Sequence, residues 1–436
     1  MKRIVLGMVL VLAAAVALPA QAVICTVDNV PAATLLLPYF EVDLDDENGI
    51  NTLFSINNAS ATAALAHVVV WTDLSVPVLD FNVYLTGYDV QTISLRDIIV
   101  NGQLPVTASD GQDPTDTISN QGLFSQDINF ASCTGQLPYS GLPANFVAHL
   151  QSILTGGPSA LSSFAGNCGG RNLGDGIARG YVTVDTVNNC SLDFPGDPGY
   201  FGPGGTGTAT NQNILWGDYF YVDSGENFAQ GETLVHVEAD ALNPETSVPG
   251  EYTFYGRYVA WSAIDNREPL SSNFVSRYIT GGPFSGGTDL VVWRDGKIPS
   301  STSGYSCGSI AAGTNPPWFP LAQEQIVIFD EEENPVVEEG CTVSPCEDGD
   351  LLVPFPAEAQ RTTVGGIDLP SPFPFGFLWL NLNSVVVGQL PNEDPAAMQN
   401  WVTTIMNAEG RYSVGFDAIS IDSTCNASHA LIGGGF

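Results

Sequence analysis

The stretch Leu79-Asp-Phe-Asn-Val-Tyr-Leu-Thr86 decides the fold class, because apolar and polar side chains alternate along it without a break. A period of two puts every second side chain on the same side of a β-strand, so one face of this strand should meet an apolar core. The neighbouring segments 53–56, 66–71 and 90–95 are short apolar runs rich in β-branched and aromatic residues, and turn-forming clusters separate them. This spacing predicts an antiparallel meander.

The same pattern recurs along most of the chain. Further strands are predicted at 181–184, 216–222, 234–239, 252–264, 290–293, 325–329, 377–382, 401–405 and 412–417. After residue 417 the apolar positions change parity, which predicts a β-bulge near Ala418. One short helix is predicted at 143–154, with proline at its start and glycines after it. We therefore predict an all-β fold of two antiparallel β-sandwich units, Ig-like or jelly-roll-like, with a short helical insertion.

The amino terminus predicts export. Lys2 and Arg3 precede an apolar run at 4–18, and Ala20-Gln-Ala22 is typical of a signal-peptidase site, so residues 1–22 are interpreted as a signal peptide. The apolar run is too short to span a bilayer, so no membrane insertion is expected. The predicted location is secreted, periplasmic or extracellular.

The remaining chain is predicted to form two domains. A large β-sandwich domain is placed at 23–300, with a loop-and-helix insertion at about 107–175, and a second β-sandwich domain at 301–436. The boundary is placed in the segment 299–317, which is rich in serine, glycine and proline and has no periodicity.

Charge limits the partners. The chain has 47 acidic and 12 basic residues and a formal net charge of −35, which excludes nucleic acid because such a surface repels phosphate. An extracellular glycan or protein is the expected partner. Five basic residues fall in one window: Arg257, Arg267, Arg277, Arg294 and Lys297. We expect them to pair with nearby carboxylates such as Asp265, Glu268 and Asp295.

The cysteines predict disulfides. An even number in an exported chain is typical of a disulfide framework, and zinc is disfavoured because paired CxxC motifs are absent and the four histidines are scattered. The eight are Cys25, Cys133, Cys168, Cys190, Cys307, Cys341, Cys346 and Cys425. Connectivity does not follow from spacing, but Cys341 with Cys346 and Cys307 with Cys425 are the pairs we expect.

Calcium is the candidate cofactor. Asp43, Asp45 and Glu47 lie in an acidic run at 41–49 and are the candidate metal ligands. The run is not an EF-hand, because its glycine, Gly49, comes one position late. A solvated turn is the competing interpretation.

No catalytic residue is assigned. GYSCG at 304–308 matches the GxSxG elbow of serine hydrolases, but we expect no strand before it and no helix after it. Carboxylates are too numerous for any pair to indicate a glycosidase. Trp71, Trp261 and Trp293 each lie close to an aspartate and are candidates for stacking on a sugar, although a tryptophan on a strand is usually core.

Five blocks are spread over most of the chain: LPYFEVDL at 37–44, DLSVPVLDFNVYLTGYDVQTISLRDI at 73–98, DNREPL at 265–270, TDLVVWRDG at 288–296 and EGRYSVGFDAI at 409–419. Through them the chain resembles a group of uncharacterised exported bacterial proteins. The resemblance implies a secreted, β-rich architecture and transfers no catalytic residue.

The sequence thus predicts a secreted or cell-surface structural or binding protein, more plausibly without enzymatic activity than with it. Two alternatives stay open: an extracellular carbohydrate-binding or carbohydrate-active protein, and a calcium-stabilised adhesive module.

Overall fold

The computed structural model describes residues 30–107, 130–137, 139–239, 253–281, 286–296, 298–311, 316, 318–319, 321, 323, 325–338, 353–383, 399–408 and 413–421. Within these ranges the chain is mostly β-strand with three short α-helices, which confirms the predicted all-β class. None of the described helices is long and apolar enough to cross a membrane.

The strands, in chain order, are β1 (Thr34–Asp43), β2 (Asn51–Asn58), β3 (Ala64–Thr72), β4 (Pro77–Leu85), β5 (Val90–Ser94), β6 (Ile177–Val187), β7 (Leu215–Trp216), β8 (Asp218–Asp223), β9 (Phe228–Thr233), β10 (Val235–Val237), β11 (Asn273–Ile279), β12 (Gly287–Arg294), β13 (Gln325–Phe329), β14 (Pro335–Glu338), β15 (Ala359–Thr363), β16 (Phe375–Asn381), β17 (Asn400–Asn407), β18 (Ser413–Asp417) and β19 (Ile419–Ser420). The helices are α1 (Leu95–Ile99), α2 (Ala144–Leu154) and α3 (Cys307–Ala311). The predicted helix is confirmed as α2, with Pro143 as its N-cap.

The strands form four antiparallel sheets. Sheet I has the order β10-β1-β6-β3-β4, and sheet II has the order β5-β2-β8-β9 with β7 also paired to β2. Sheet III has the order β15-β12-β17-β18, and sheet IV has the order β14-β13-β16-β11-β19. Sheets II and III share one apolar core with sheet I, and sheet IV packs on the other face of sheet III. This is sandwich-type packing, as predicted.

Sheet III is buried on both faces. All eight residues of β12 are buried. Val291 and Trp293 belong to the core shared with sheet I, where Trp293 meets Tyr181 of β6 edge to face. Leu290 and Val292 belong to the core shared with sheet IV. The consecutive apolar residues of β12 therefore supply two cores from one strand.

Strand β4 confirms the alternation from which the fold class was predicted, but its polar face is not in solvent. Asn82 is fully buried, and its Nδ2 donates to the carbonyl of Ser191 at 3.0 Å. Its main-chain nitrogen donates to the hydroxyl of Tyr139 at 2.8 Å. Connecting segments thus cover this face, and the alternation separates an apolar face from a hydrogen-bonded one.

The parity change after residue 417 has a different cause from the predicted bulge. β18 pairs with β17 in sheet III, whereas β19 pairs with β11 in sheet IV. Ala418 lies between them, buried in the core that these two sheets share. The chain therefore passes from one layer to the next at Ala418, and Ile419, which follows, is 70% exposed.

The sheets divide the chain differently from the boundary predicted at residue 300. β11 and β12 precede residue 300 but pair with β16 and β17, which follow it. Residues after 300 also return to the first core, to which Tyr305, Ile310 and Trp318 belong. The segment includes the short helix α3 and packs on this core, and the division into two domains stays a prediction.

The strand predicted at 252–264 is not formed in the described part of that range. Gly256–Tyr258 is a 3₁₀ turn, and Ala260, Trp261 and Ala263 have φ values of 51°, 57° and 56°. Positive φ is incompatible with an extended strand. The aromatic residues of this segment are buried because it packs as an irregular loop inside the molecule.

Among the described residues, two disulfides are formed, Cys133–Cys190 and Cys168–Cys307. The predicted pairing of Cys307 with Cys425 is therefore wrong, because a contact between the loop after α2 and the start of α3 brings Cys168 to Cys307. Cys25, Cys341, Cys346 and Cys425 lie outside the described residues, so Cys341 with Cys346 stays a prediction.

Sheets II and III meet edge to edge. Ser413 Oγ of β18 donates to the carbonyl of Ala229 in β9 at 2.5 Å. A Cβ on Gly415 would lie 1.7 Å from Gln230 Nε2, so any larger residue here would displace the Gln230 side chain from the seam. The two sheets thus form one broad layer opposite sheet I.

Stability should depend on pH through Asp417, which lies at this seam. Burial and the neighbouring carboxylate of Glu232 raise the pKa of Asp417 from 3.8 to about 7. Between about pH 4 and pH 7 the carboxyl of Asp417 has lost its proton in the unfolded chain but keeps it in the folded protein. The free energy of unfolding therefore falls as the pH rises through this range. Asp417→Asn should raise the Tm at pH 8 by a few degrees relative to the unsubstituted protein, and the two should melt alike below pH 4.

Thermal unfolding followed by circular dichroism across this pH range checks the expectation. Glu226→Gln, which changes an exposed carboxylate in the turn between β8 and β9, is the control and should leave the pH dependence unchanged. A Tm for Asp417→Asn that parallels that of the unsubstituted protein at every pH would contradict it.

Candidate functional site

The three predicted calcium ligands lie at the turn between β1 and β2 but form no metal cage. Asp43 Oδ1 accepts hydrogen bonds from the main-chain nitrogens of Asp45 and Asp46, at 2.8 and 3.0 Å. Asp45 and Glu47 are exposed. No group of three or more potential metal-ligating side chains occurs among the described residues. Asp43 thus shapes the turn, and calcium binding stays a prediction that this geometry does not support.

The tryptophans considered as sugar-stacking residues are core residues. Trp71, Trp261 and Trp293 are 1%, 8% and 3% exposed. Trp71 stacks on Tyr181 at a centroid distance of 5.8 Å. These three side chains are therefore closed to a ligand, and the carbohydrate hypothesis needs other residues.

Ser306 of the GxSxG match lies directly before α3, so the expectation that no helix follows it is wrong. Its side chain is exposed and forms no hydrogen bond to a histidine among the described residues. A histidine does contact a serine elsewhere: His149 Nδ1 lies 2.7 Å from Ser159 Oγ, but both of these groups are inside the protein. Neither arrangement forms an accessible nucleophile.

Arg257 and Arg267 of the basic window form ion pairs, and one of their three partners, Asp295, was predicted. Arg257 Nε lies 3.3 Å from Asp295 Oδ1, as expected, and its Nη1 lies 2.6 Å from Glu358 Oε1. Arg267 Nη2 lies 3.7 Å from Asp185 Oδ1. All these side chains are almost fully buried. Burial raises the pKa of Glu358, and Arg257 opposes that effect. These pairs are sealed between layers and stabilise the packing.

A second group of charged side chains lines an open cleft between sheets I and III. The cleft has a volume of about 610 Å³, within the range of small-molecule sites. We call it the charged cleft and define it by six of its lining residues: Glu41, Arg171, Arg179, Asp289, Arg361 and Asp368.

Arg361 joins the two walls of the charged cleft. From β15 of sheet III, its Nη1 lies 3.0 Å from Glu41 Oε2 on β1 of sheet I. Its Nε and Nη2 lie 2.8 and 2.6 Å from Asp289 Oδ2 on the adjacent strand β12. Thr363 Oγ1 donates to the other oxygen of Asp289 at 2.5 Å. The guanidinium thus crosslinks two layers while lying in the wall of a cavity.

Arg179 holds the other side of Glu41. The two residues are direct partners in the register of β6 with β1, and Arg179 Nε lies 3.6 Å from Glu41 Oε1. Its Nη2 lies 2.6 Å from Asp175 Oδ2. Burial alone would lower the pKa of both Arg179 and Arg361, but the adjacent acidic groups outweigh it and the pKa of each is raised. The cleft therefore keeps its guanidinium charges over the whole physiological pH range.

Arg171 lies between the charged cleft and a neighbouring cavity of about 390 Å³, which the disulfide Cys168–Cys307 also lines. Its Nε lies 2.7 Å from Asp73 Oδ2, and its Nη2 donates to the carbonyl of Ala359 at 3.5 Å. Nη1 donates to no described residue. Because the side chain is 18% exposed, these N–H groups are available to a ligand.

The sequence did not indicate this site. Arg171, Arg179 and Arg361 lie outside the basic window, and the first two are separated from the third by almost half of the chain. Glu41 begins the acidic run that was considered for calcium, and it is the part of that run that reaches the cleft. The one available signal was Arg179, which is one of two charged residues in strand β6.

We expect Arg361→Met to lower the free energy of unfolding by about 3 kcal/mol, because Asp289 then loses its arginine partner, and Glu41 one of its two, in a largely buried place. Urea unfolding followed by tryptophan fluorescence measures the change. Arg277→Met removes an exposed pair with Glu331 and should cost less than about 1 kcal/mol. Equal losses in the two variants would contradict a structural role for Arg361 in the cleft wall.

Comparisons with protein-family models, with curated proteins and with solved structures find no match for the chain. Function is therefore inferred from the geometry of the charged cleft.

Proposed function

We propose that the protein is an exported, non-enzymatic binding protein that holds a neutral, polyhydroxylated ligand such as a saccharide in the charged cleft. One observation carries the proposal: guanidinium donors and carboxylate acceptors lie side by side on the wall of an open cavity of about 610 Å³. A hydroxyl group both donates and accepts hydrogen bonds, so adjacent hydroxyls of a sugar match such a wall.

Charge favours a neutral ligand. The three guanidiniums of the cleft contact four carboxylates, those of Glu41, Asp73, Asp175 and Asp289. Asp368 adds another negative charge to the lining and forms no ion pair with a described residue. With a chain charge of −35, an acidic ligand would meet long-range repulsion, whereas a neutral polyol would not.

The contacts of the lining support binding more than catalysis. Glu41 accepts from Tyr39 at 3.0 Å and contacts two arginines, while Asp289 contacts Arg361 and Thr363. Each carboxylate is held in place by groups of the protein, and its remaining lone pairs can accept from a ligand hydroxyl. Such a wall is rigid, which lowers the entropy lost when a ligand binds.

Leu173→Trp tests the proposal without removing an ion pair. Leu173 lies on the cleft lining and is 55% exposed, so an indole at this position should occupy the space of a ligand. Affinity for the best-binding neutral saccharide should fall about tenfold or more, equivalent to about 1.4 kcal/mol. Isothermal titration calorimetry with a panel of neutral and acidic mono- and disaccharides measures it.

Leu192→Trp is the matched control, since Leu192 is 70% exposed and is not part of the cleft. It should bind as tightly as the unsubstituted protein. The proposal fails if no neutral saccharide binds at millimolar concentration, if the acidic sugars bind more tightly than the neutral ones, or if both tryptophan variants bind alike.

A further inference from the structure

The outer face of sheet II, at the other end of the broad layer from the charged cleft, is open to solvent at its large apolar side chains, whereas Ser55 and Asn57 on the same face are buried. On β2, Phe54 and Ile56 face the core, so Leu53, Ser55 and Asn57 lie on the opposite face. On β8, Tyr219 and Tyr221 face the core, so Asp218 and Phe220 lie on the opposite face. The strand register aligns these residues: Asn57 is the partner of both Val90 and Trp216, and Leu53 is the partner of Phe220.

Aromatic side chains are exposed along this face. Trp216, Phe220 and Val90 are 42%, 44% and 57% exposed. Trp216 and Phe220 are four residues apart, which corresponds to about 13 Å along extended strands. Phe220 lies over Gly231 of β9, where a Cβ would come within 2.4 Å of its ring. The glycine therefore gives the phenyl ring a place against the sheet, with its outer side free.

A row of polar groups lies between the two aromatic side chains. Ser55 Oγ donates to Asp218 Oδ1 at 2.6 Å, and Asn57 Nδ2 donates to Ser55 Oγ at 2.9 Å. Asp218 Oδ2 accepts from no described residue, and Asp218 is only half-buried. Asn57 Oδ1 also lacks a partner among the described residues, next to Trp216 in the register. Because Asn57 Oδ1 is buried, the acceptor that this row offers to a ligand hydroxyl is Asp218 Oδ2.

We infer that this open face of sheet II binds a neutral polysaccharide chain. The rings of Trp216 and Phe220 stack on the apolar faces of separate sugar rings, and Asp218 accepts from a hydroxyl between them. The spacing of the aromatic residues spans more than one pyranose ring, so the face suits a polymer. This site is separate from the charged cleft, and the inference does not depend on the function proposed for that cleft.

The charge of this face favours a neutral polysaccharide over an acidic polymer or a second copy of the chain. The outward residues of β2, β5, β7 and β8 include the carboxylate of Asp218 and no arginine or lysine. An acidic polymer therefore has no cationic partner on this face. A second copy of the chain would bring another net charge of −35 against the same surface. A neutral glycan needs no cationic partner and is not repelled by the acidic chain. The flat apolar face of a sugar ring can also stack on the exposed aromatic rings.

Retention on insoluble polymers tests the inference with the full exported chain. The unsubstituted protein should be retained on microcrystalline cellulose, chitin or an insoluble β-glucan, and should be slowed in native gels that contain the soluble form of the polymer it binds. Trp216→Ala and Phe220→Ala should each weaken that binding about tenfold, with an unchanged Tm, because each loses one exposed stacking contact.

Phe375→Ala is the matched control, since Phe375 is 50% exposed but lies on β16 of sheet IV. This variant should be retained on the polymer like the unsubstituted protein. Leu173→Trp in the charged cleft should also be retained. The inference is overturned if none of the neutral polymers retains the protein, if Phe375→Ala loses as much binding as Trp216→Ala, or if sedimentation shows a dimer that Trp216→Ala dissociates. Loss of retention in Leu173→Trp alone would move polymer binding to the charged cleft.

Discussion

The burial of β12 on both faces is the constraint on which the rest of the structure depends. Because the strand supplies two cores, its middle residues must be apolar at consecutive positions, and polar groups are confined to its ends. At one end Asp289 is held by Arg361 in the wall of the charged cleft. At the other end Arg294 is fully buried and donates to three main-chain carbonyls, those of Leu321, Phe355 and Leu382, each at 2.9 Å.

The burial of several of the few basic residues explains why the surface of the protein is acidic. Arg257, Arg267 and Arg294 are buried, and burial lowers the pKa of Arg294 to about 9. Charges in such places are costly unless they are paired and hydrogen-bonded, so they restrict the packing to one arrangement of loops and sheets. Their burial also leaves the acidic residues dominant outside. This charge distribution agrees with the neutral ligands proposed above.

The two proposed binding regions use opposite ends of the layer that sheets II and III form together. The charged cleft lies beside the edge strand β15, where sheet III faces sheet I. The open face lies on β2 and β8, beyond the area of the layer that sheet IV covers. In the cleft, donors and acceptors come from strands that are distant in sequence, whereas on the open face the two aromatic residues follow each other closely on β7 and β8. The edge contact between β9 and β18 places the two sheets in one layer.

The sequence by itself determined the fold class, most of the strands and helix α2, because alternation and helical periodicity are local properties of the chain. It did not determine which face of a strand is open: Asn82 of β4 lies on the polar face and is buried, while Phe220 of β8 is apolar and exposed. Nor did it determine that Arg361 meets Glu41, or that Cys307 meets Cys168. Those contacts join residues more than a hundred positions apart, and only the stacking and register of the sheets bring such residues together.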